Sequence, residues 1–202
     1  MIVGLGNPGP EYAQTRHNAG FWFADLLAER HGGSFRSERK FGAELASVRI
    51  DDVEVLLLKP QTFMNRSGES LQAATSYLKI PVEQVLVAHD ELDLPAGDVR
   101  LKQGGGHGGH NGLRSLIAHV GPGFWRLRLG IGHPGNRAEV IDYVLKRASR
   151  EDELSICTAV ADAADVMPIL LGSGEQRAMH KLHSRGASPG SNRKGSEPGL
   201  AE

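Results

Sequence analysis

Residues 1–27 read MIVGLGNPGPEYAQTRHNAGFWFADLL, and this stretch decides the fold. Ile2, Val3 and Leu5 form a short buried strand, and Pro8, Gly9 and Pro10 then make a rigid loop. Phe21, Phe23, Leu26 and Leu27 mark a helix that stops near Gly32-Gly33. The run Gly4-Leu5-Gly6-Asn7-Pro8-Gly9 matches the glycine pattern of dinucleotide-binding loops. That pattern requires a helix N-terminus directly after the turn and an acidic residue ending a second strand about 20 positions on. Here Pro8 and Pro10 fall in and just after the turn, the helix waits until about Asn18, and the acidic candidates Asp25 and Glu29 lie inside the helix. The better reading is a stiff loop that aims Asn7 out of the end of a sheet.

Working outward, Leu45 to Ile50 and Val53 to Leu58 read as two strands of a hairpin turning at Asp51-Asp52. Arg66 to Leu78 has helical spacing and ends before Pro81. Val85 to Ala88 is a third apolar run, closed by His89-Asp90-Glu91; Val99 to Lys102 is short and strand-like. A glycine-rich segment, Gly104 to Gly112, precedes a helix over Leu113 to Val120, and Trp125 to Ile131 reads as a strand with alternating Arg126 and Arg128. Ala138 to Lys146 is a further helix. Glu151 to Leu171 is helical with Leu154, Cys157, Ala161 and Ala164 on one face, and Pro168 predicts a kink or an early end. Glu175 to His183 closes the series. Strands alternating with helices predict an α/β single-domain sandwich of helices around a mixed, mostly parallel sheet over residues 1–183. Residues 184–202 hold four Gly, four Ser and two Pro with one Leu. They cannot bury enough apolar surface to offset ordering entropy and predict a disordered tail.

The bulk figures restrict the function. The chain has 202 residues, 40% hydrophobic and 23% charged, which suits one domain with a sizeable core. No stretch approaches the run of ~18 apolar residues that a membrane span needs. The N-terminus lacks the features of a signal peptide, and Cys157 is the only cysteine, so an internal disulfide is impossible and a cytoplasmic location is expected. A formal net charge of −1 neither announces nor excludes a nucleic-acid partner, because phosphate binding depends on where cations cluster.

Four segments carry chemistry-bearing residues at strand or loop ends: Asn7 with Thr15 to Asn18, Thr62 to Gly68, His89 to Asp93, and the glycine-rich loop with His110 and Asn111. In open α/β sheets ligands bind beyond the carboxyl ends of strands, so these segments are expected to converge. A histidine can deprotonate water near neutral pH, and a carboxylate on its other ring N–H would fix its tautomer. Asparagines can hold a water, a carbonyl and a ribose without titrating. No nucleophilic serine is implied, since G-x-S-x-G is absent. Plain alternatives stand beside these readings. Asp90 could terminate a strand, Asn65 could cap a helix, and Cys157 could be a small core residue. His107 and His110 suggest metal, but H-x-x-H in a glycine loop is not the zincin helix, and no metal or other cofactor is expected.

Taken together, VGLGNPGPEYAQTRHNAGF, LLLKPQTFMNRSG, HDELDLPAG, RLKQGGGHGGHNGLRS and RLRLGIGHPG closely resemble the bacterial peptidyl-tRNA hydrolase family over about residues 1–183. The resemblance implies an enzyme that cleaves the ester of peptidyl-tRNA, releasing peptide and tRNA from translation drop-off products, as a metal-free monomer without membrane contact. It implies His17 as general base and Asp90 as the carboxylate orienting it. Asn7, Tyr12, Met64, Asn65, His110 and Asn111 would bind the peptide–ribose end and position water. Lys102 and Arg128 would clamp a tRNA phosphate, joined by Arg137 where family members often carry Lys. The departures are the absence of a few residues before the first strand, Pro168, and the stretch after His183.

Overall fold

The computed structural model describes residues 1–185. Its centre is β1 (Ile2–Gly4), and the sequence order β2 (Arg36–Glu38), β3 (Ala43–Ile50), β4 (Val53–Pro60), β5 (Leu86–Glu91), β6 (Val99–Gln103) and β7 (Trp125–Gly130) becomes β2-β3-β4-β1-β5-β7-β6 in space. The middle four strands, β4, β1, β5 and β7, run parallel; β2 and β3 on one side and β6 on the other pair antiparallel. The expected mixed sheet is therefore parallel at its centre and antiparallel at both edges.

Strand alternation sends successive side chains to opposite faces. Ile2, Leu57, Leu86, Ala88, Leu127 and Leu129 join one buried cluster, while Val3, Leu58, Val85 and Val87 join the other. The first face is covered by α1 (Ala19–Arg30), α5 (Arg150–Ser173) and α6 (Glu175–Arg185); the second by α2 (Ser67–Leu78) and α3 (Asn111–Val120). A short helix, α4 (Val140–Leu145), lies beside the turn that precedes α1. The chain leaves β1 through α1 on one face and returns by the hairpin to β4. It then leaves β4 through α2 on the opposite face to reach β5. The switch of direction opens a crevice beyond the carboxyl ends of β1 and β5, the place where such sheets bind ligands.

Close packing sharpens that crevice. A Cβ on Gly4 would lie 2.3 Å from the Gly20 carbonyl oxygen, and one on Gly20 would lie 2.3 Å from the Ala88 oxygen. Only glycine at both positions lets the first turn of α1 sit directly over β1 and β5. The glycines of the opening loop thus serve helix–strand approach, with no dinucleotide fingerprint geometry: the α-helix starts at Ala19, fifteen residues after β1 ends.

Several local expectations are corrected. His89, Asp90 and Glu91, the polar close of the third apolar run, belong to β5 itself as its last three residues. β2 went unread in the sequence. In α5 the buried face is Ile156, Ala159, Val160, Ala163, Ala164, Val166 and Met167, whereas Leu154 is 69% exposed and Cys157 is also exposed. An almost wholly apolar helix offers more than one set of three-and-four spacings, and packing against α1 and α6 selects among them. Pro168 does not end α5, which continues five residues to Ser173. By length and composition α5 is long and apolar enough to cross a membrane: its best 18-residue window has mean hydropathy 1.7, and 39% of that window is buried inside the protein. This corrects the expectation that no stretch is apolar enough, since Asp162 and Asp165 interrupt the run without lowering its mean hydropathy below that of a span. Its buried face accounts for that apolarity as core. The final helix reaches Arg185, so the first two residues of the stretch expected to be disordered are helical; residues 186–202 lie outside the described residues.

Candidate active site

β5 outruns β1. The parallel register pairs Gly4 with Ala88, and the Leu5 amide donates to the Ala88 carbonyl at 2.9 Å, so Asp90 projects past the last residue of β1. The gap is filled by a 3-10 turn, Arg16–Asn18, which leads straight into α1. It places His17 against Asp90: Nδ1 lies 2.9 Å from Oδ1 and 3.0 Å from Oδ2. Both side chains are sequestered, with 10% and 2% of their side-chain surface exposed. A proton on Nδ1, donated to the carboxylate, leaves the Nε2 lone pair as the basic atom of His17.

A second histidine meets the same carboxylate. His110 Nε2 lies 2.9 Å from Asp90 Oδ1. His110 is also the N-cap of α3, its Nδ1 accepting from the amides of Gly112 at 3.1 Å and Leu113 at 3.3 Å. Behind them His89 is fully buried. Its Nδ1 donates to the Asp90 backbone carbonyl at 2.7 Å, and its Nε2 has no partner. The rings of His17, His110 and His89 are arrayed with centroid separations of 4.9 and 5.2 Å.

The electrostatics follow from burial set against neighbours. Burial works against a charge on His17, but the Asp90 carboxylate, by its charge and its hydrogen bond, raises the pKa above its ordinary value. Burial likewise pushes Asp90 up, yet His17 and His110 hold it well below the usual carboxylate range. His89 is pushed down to about 4 by burial and by His110, and stays neutral.

His17, Asp90 and His110 set three ligand-type atoms within 4.8 Å of one another. Their protons argue against a metal. A cation on His110 Nε2 would move the ring proton to Nδ1, where two backbone N–H groups already point. His107, the other half of the H-x-x-H pair, is outside this group; its Nδ1 accepts from the Gly109 amide.

The asparagine loop is tied in from both sides. Asn18, 2% exposed, accepts from the Asn7 amide at 2.9 Å and donates to the Asn7 carbonyl at 3.0 Å. Asn7 Oδ1 accepts from the Met64 amide at 2.8 Å. Met64 is buried, and its sulfur would lie 2.5 Å from a Cβ on Gly112, where His110 and Leu5 also converge. The four segments therefore do meet. Asn65, in the turn Met64–Arg66, and Asn111, the first residue of α3, are exposed; Asn111 Oδ1 accepts from Arg114 at 3.0 Å. Asn65 is not the cap of α2, a place held by Arg66. Tyr12 is half-buried, edge-on to the ring of Phe63, which is 58% exposed.

The cations lie on the adjoining β6–β7 edge. Lys102 is registered opposite Arg126, and Arg100 opposite Arg128, so all four share one sheet face. Lys102 is exposed. Arg128 is half-buried and donates to Glu91 Oε2 at 2.8 Å, while Arg137 is exposed at the start of the turn Arg137–Glu139.

Three residues escaped sequence reasoning. Asn18, beside His17 in sequence, ties down the Asn7 backbone. Arg126 is 4% exposed and donates to the carbonyls of Gly105 and Gly106, tethering the glycine-rich loop to β7. Arg16, 7% exposed, donates to the Tyr143 and Arg147 carbonyls and to Asp152, and lies 4.0 Å over the Tyr143 ring, binding the His17 turn to α4 and the start of α5. A buried arginine has no sequence signature; only the register, which opposes Arg126 to a residue of the loop-bearing strand, could have raised it.

Known proteins share this architecture. A family model described as peptidyl-tRNA hydrolase matches residues 1–190. A peptidyl-tRNA hydrolase of Alkalilimnicola ehrlichii is 51% identical over 187 residues, 92% of this chain and 95% of that protein. One of Neisseria meningitidis is 51% identical over 186 residues, covering 92% and 97%. The crystal structure of the Acinetobacter baumannii peptidyl-tRNA hydrolase superposes with a TM-score of 0.87 at 46% identity, covering 90% of this chain and 92% of that one.

Proposed function

The chain belongs to the peptidyl-tRNA hydrolase family and hydrolyses peptidyl-tRNA, and we propose that it does so through a His17–Asp90 pair acting on water. The supporting observation is the buried bond between His17 Nδ1 and Asp90, which presents Nε2 as a base. Nε2 takes a proton from water as the oxygen attacks the ester carbonyl joining the peptide to the 3′-terminal ribose. The imidazolium that forms is stabilised by Asp90, and its proton then goes to the departing ribose oxygen, so the base is restored. With Oδ1 of Asn7 held by Met64, the Asn7 Nδ2 group serves as the donor to the carbonyl oxygen or the water. Asn65 and Asn111, exposed at the rim, hold the peptide backbone and ribose beside Met64, His110 and Tyr12. The reaction needs no metal.

Neutral amides select the substrate. Peptidyl-tRNA carries an amide where aminoacyl-tRNA carries an ammonium group, and an ammonium without an anionic partner is costly to desolvate. Lys102, Arg128 and Arg137 hold acceptor-stem phosphates, which position the substrate without reading its sequence. The protein acts as a cytoplasmic monomer on peptidyl-tRNA lost from translation.

The test is release of peptide from N-blocked aminoacyl-tRNA and of amino acid from free aminoacyl-tRNA, each with and without EDTA. Cleavage of the blocked substrate only, unaffected by EDTA and lost in His17→Ala, is expected. Undiminished activity of His17→Ala would refute the base, and equal cleavage of both substrates would refute selection by neutral amides.

A further inference from the structure

The bond between His110 and Asp90 has a determined direction. Two backbone amides, those of Gly112 and Leu113, donate to His110 Nδ1. An N–H donor requires a lone pair, so the ring proton must sit on Nε2, which faces Asp90 Oδ1 at 2.9 Å. His110 is thereby fixed with Nε2–H as the donor to Asp90 and Nδ1 as the acceptor of the helix amides. Asp90 Oδ1 accepts from both histidines, and Oδ2, among the described residues, faces His17.

We infer that His110 is a positioning residue for the base: locked in one tautomer by the cap of α3, it fixes the Asp90 carboxylate toward His17 and draws on the negative charge that would otherwise act on His17 alone. The inference rests on the reading of His17 as base only for its effect on rate. Its effect on His17 itself needs no substrate.

Other charges around His110 do not substitute for it. On β5, His89 packs edge-on against the ring and is neutral, and Glu91 is paired with Arg128 of β7. In the loop before α3, the His107 carbonyl accepts the His110 amide, while its ring is turned to Gly109. Arg126 of β7 holds the Gly105 and Gly106 carbonyls, so the far end of the same loop is tethered to the sheet. Displacement of the glycine-rich loop would be felt at Asp90 through His110, which links loop position to the strength of the base.

The variant His110→Ser separates the roles, because serine is a strong helix N-cap and is too short to reach Asp90. His110→Asn is the second cap-preserving variant should the first unfold. The full chain is labelled with 15N-histidine, and the His17 ring nitrogens are followed by NMR from pH 5 to pH 9, alongside the pH dependence of kcat/KM on N-blocked aminoacyl-tRNA. Loss of one hydrogen bond to a carboxylate is worth a shift of about half a unit or more. The His17 midpoint is expected to move up by that amount, and the acid limb of kcat/KM with it, so that activity is lost near neutrality and recovered in part at higher pH. A midpoint that stays in place or moves down in a folded cap-preserving variant overturns the inference; a role confined to folding would lower the rate without moving the midpoint. A shifted midpoint with an unmoved kinetic limb would uphold the inference and remove His17 as the base.

Discussion

At the crevice between β1 and β5, His17 is 8% exposed and Asp90 3%, and hydrogen bonds to backbone and side chains settle where the ring protons sit. On the β6–β7 edge a few residues away, Lys102 is exposed and Arg128 is half-buried against a single carboxylate, Glu91. The first region works by exclusion of water, in which each partner has one geometry and a lost partner leaves a buried group unsatisfied. In the second, charges meet water and salt, where contacts are individually weak, screened, and tolerant of small displacements. A chemical step needs the former and capture of a polyanion needs only the latter. Damage in the crevice should therefore appear in kcat, and damage at the edge in KM and its salt dependence.

The largest effect is expected from His17→Ala. Removing a positioned general base should lower kcat by about 10²- to 10⁴-fold with little change in KM, as measured by single-turnover peptide release. A KM effect alone would move His17 to the binding side of the comparison.

Next is acid stability in the crevice. His89 titrates near 4 in the folded protein and near the ordinary histidine value once unfolded, so the unfolded chain binds more protons between those values. Stability should be lost as pH falls from about 6.5 to about 4, by about 3 kcal/mol from this group. His17 contributes in the opposite sense: its raised pKa stabilises below about 6.5, and that contribution fades as pH rises through its folded value. In His89→Asn the amide can still donate to the Asp90 carbonyl, and denaturant unfolding at pH 7 and pH 5 should show a smaller difference than in the wild type. An equal difference would assign the acid sensitivity elsewhere.

At the edge, Lys102→Ala combined with Arg128→Ala should raise KM for tRNA substrates by about tenfold. It should also lower the slope of log affinity on log salt by about 1.5, while hydrolysis of a short substrate lacking the acceptor stem is largely kept. An unchanged slope would show that these cations touch no phosphate. The smallest effect belongs to Glu91→Gln, which frees Arg128 from its ion pair. Binding at low salt should tighten by about two- to threefold, read by titration of labelled tRNA; weaker binding would mean that Glu91 orients Arg128 more than it competes for it.

The sequence revealed these two regions unequally. The opening strand, loop and helix and the Asp51-Asp52 hairpin were legible because apolar periodicity and proline–glycine punctuation are local signals; His17, Asp90 and Asn7 stood out by residue type at strand and loop ends and by the family resemblance, and their contacts with one another's segments are what the fold adds. β2 was not, since the three residues Arg36–Glu38 become a strand only by pairing with β3. The place of His89, Asp90 and Glu91 inside β5 was hidden by their polarity; strands end where partners end, and β7 continues alongside them to Gly130. The cap role of His110 and the tether formed by Arg126 depend on contacts across the sheet that no spacing along the chain encodes. The α5 face was misjudged because local periodicity could not identify the helices that would cover it.

The central claim is that a base made of His17 and Asp90 removes a proton from water, and the pH profile of kcat/KM for N-blocked aminoacyl-tRNA tests it most directly. The wild type should gain activity with rising pH through a single ionisation above the histidine reference of about 6.5, in keeping with the raised pKa of His17. The residual activity of His17→Ala should lack that limb. A limb at the same pH in both proteins, or no limb in either, would contradict the account.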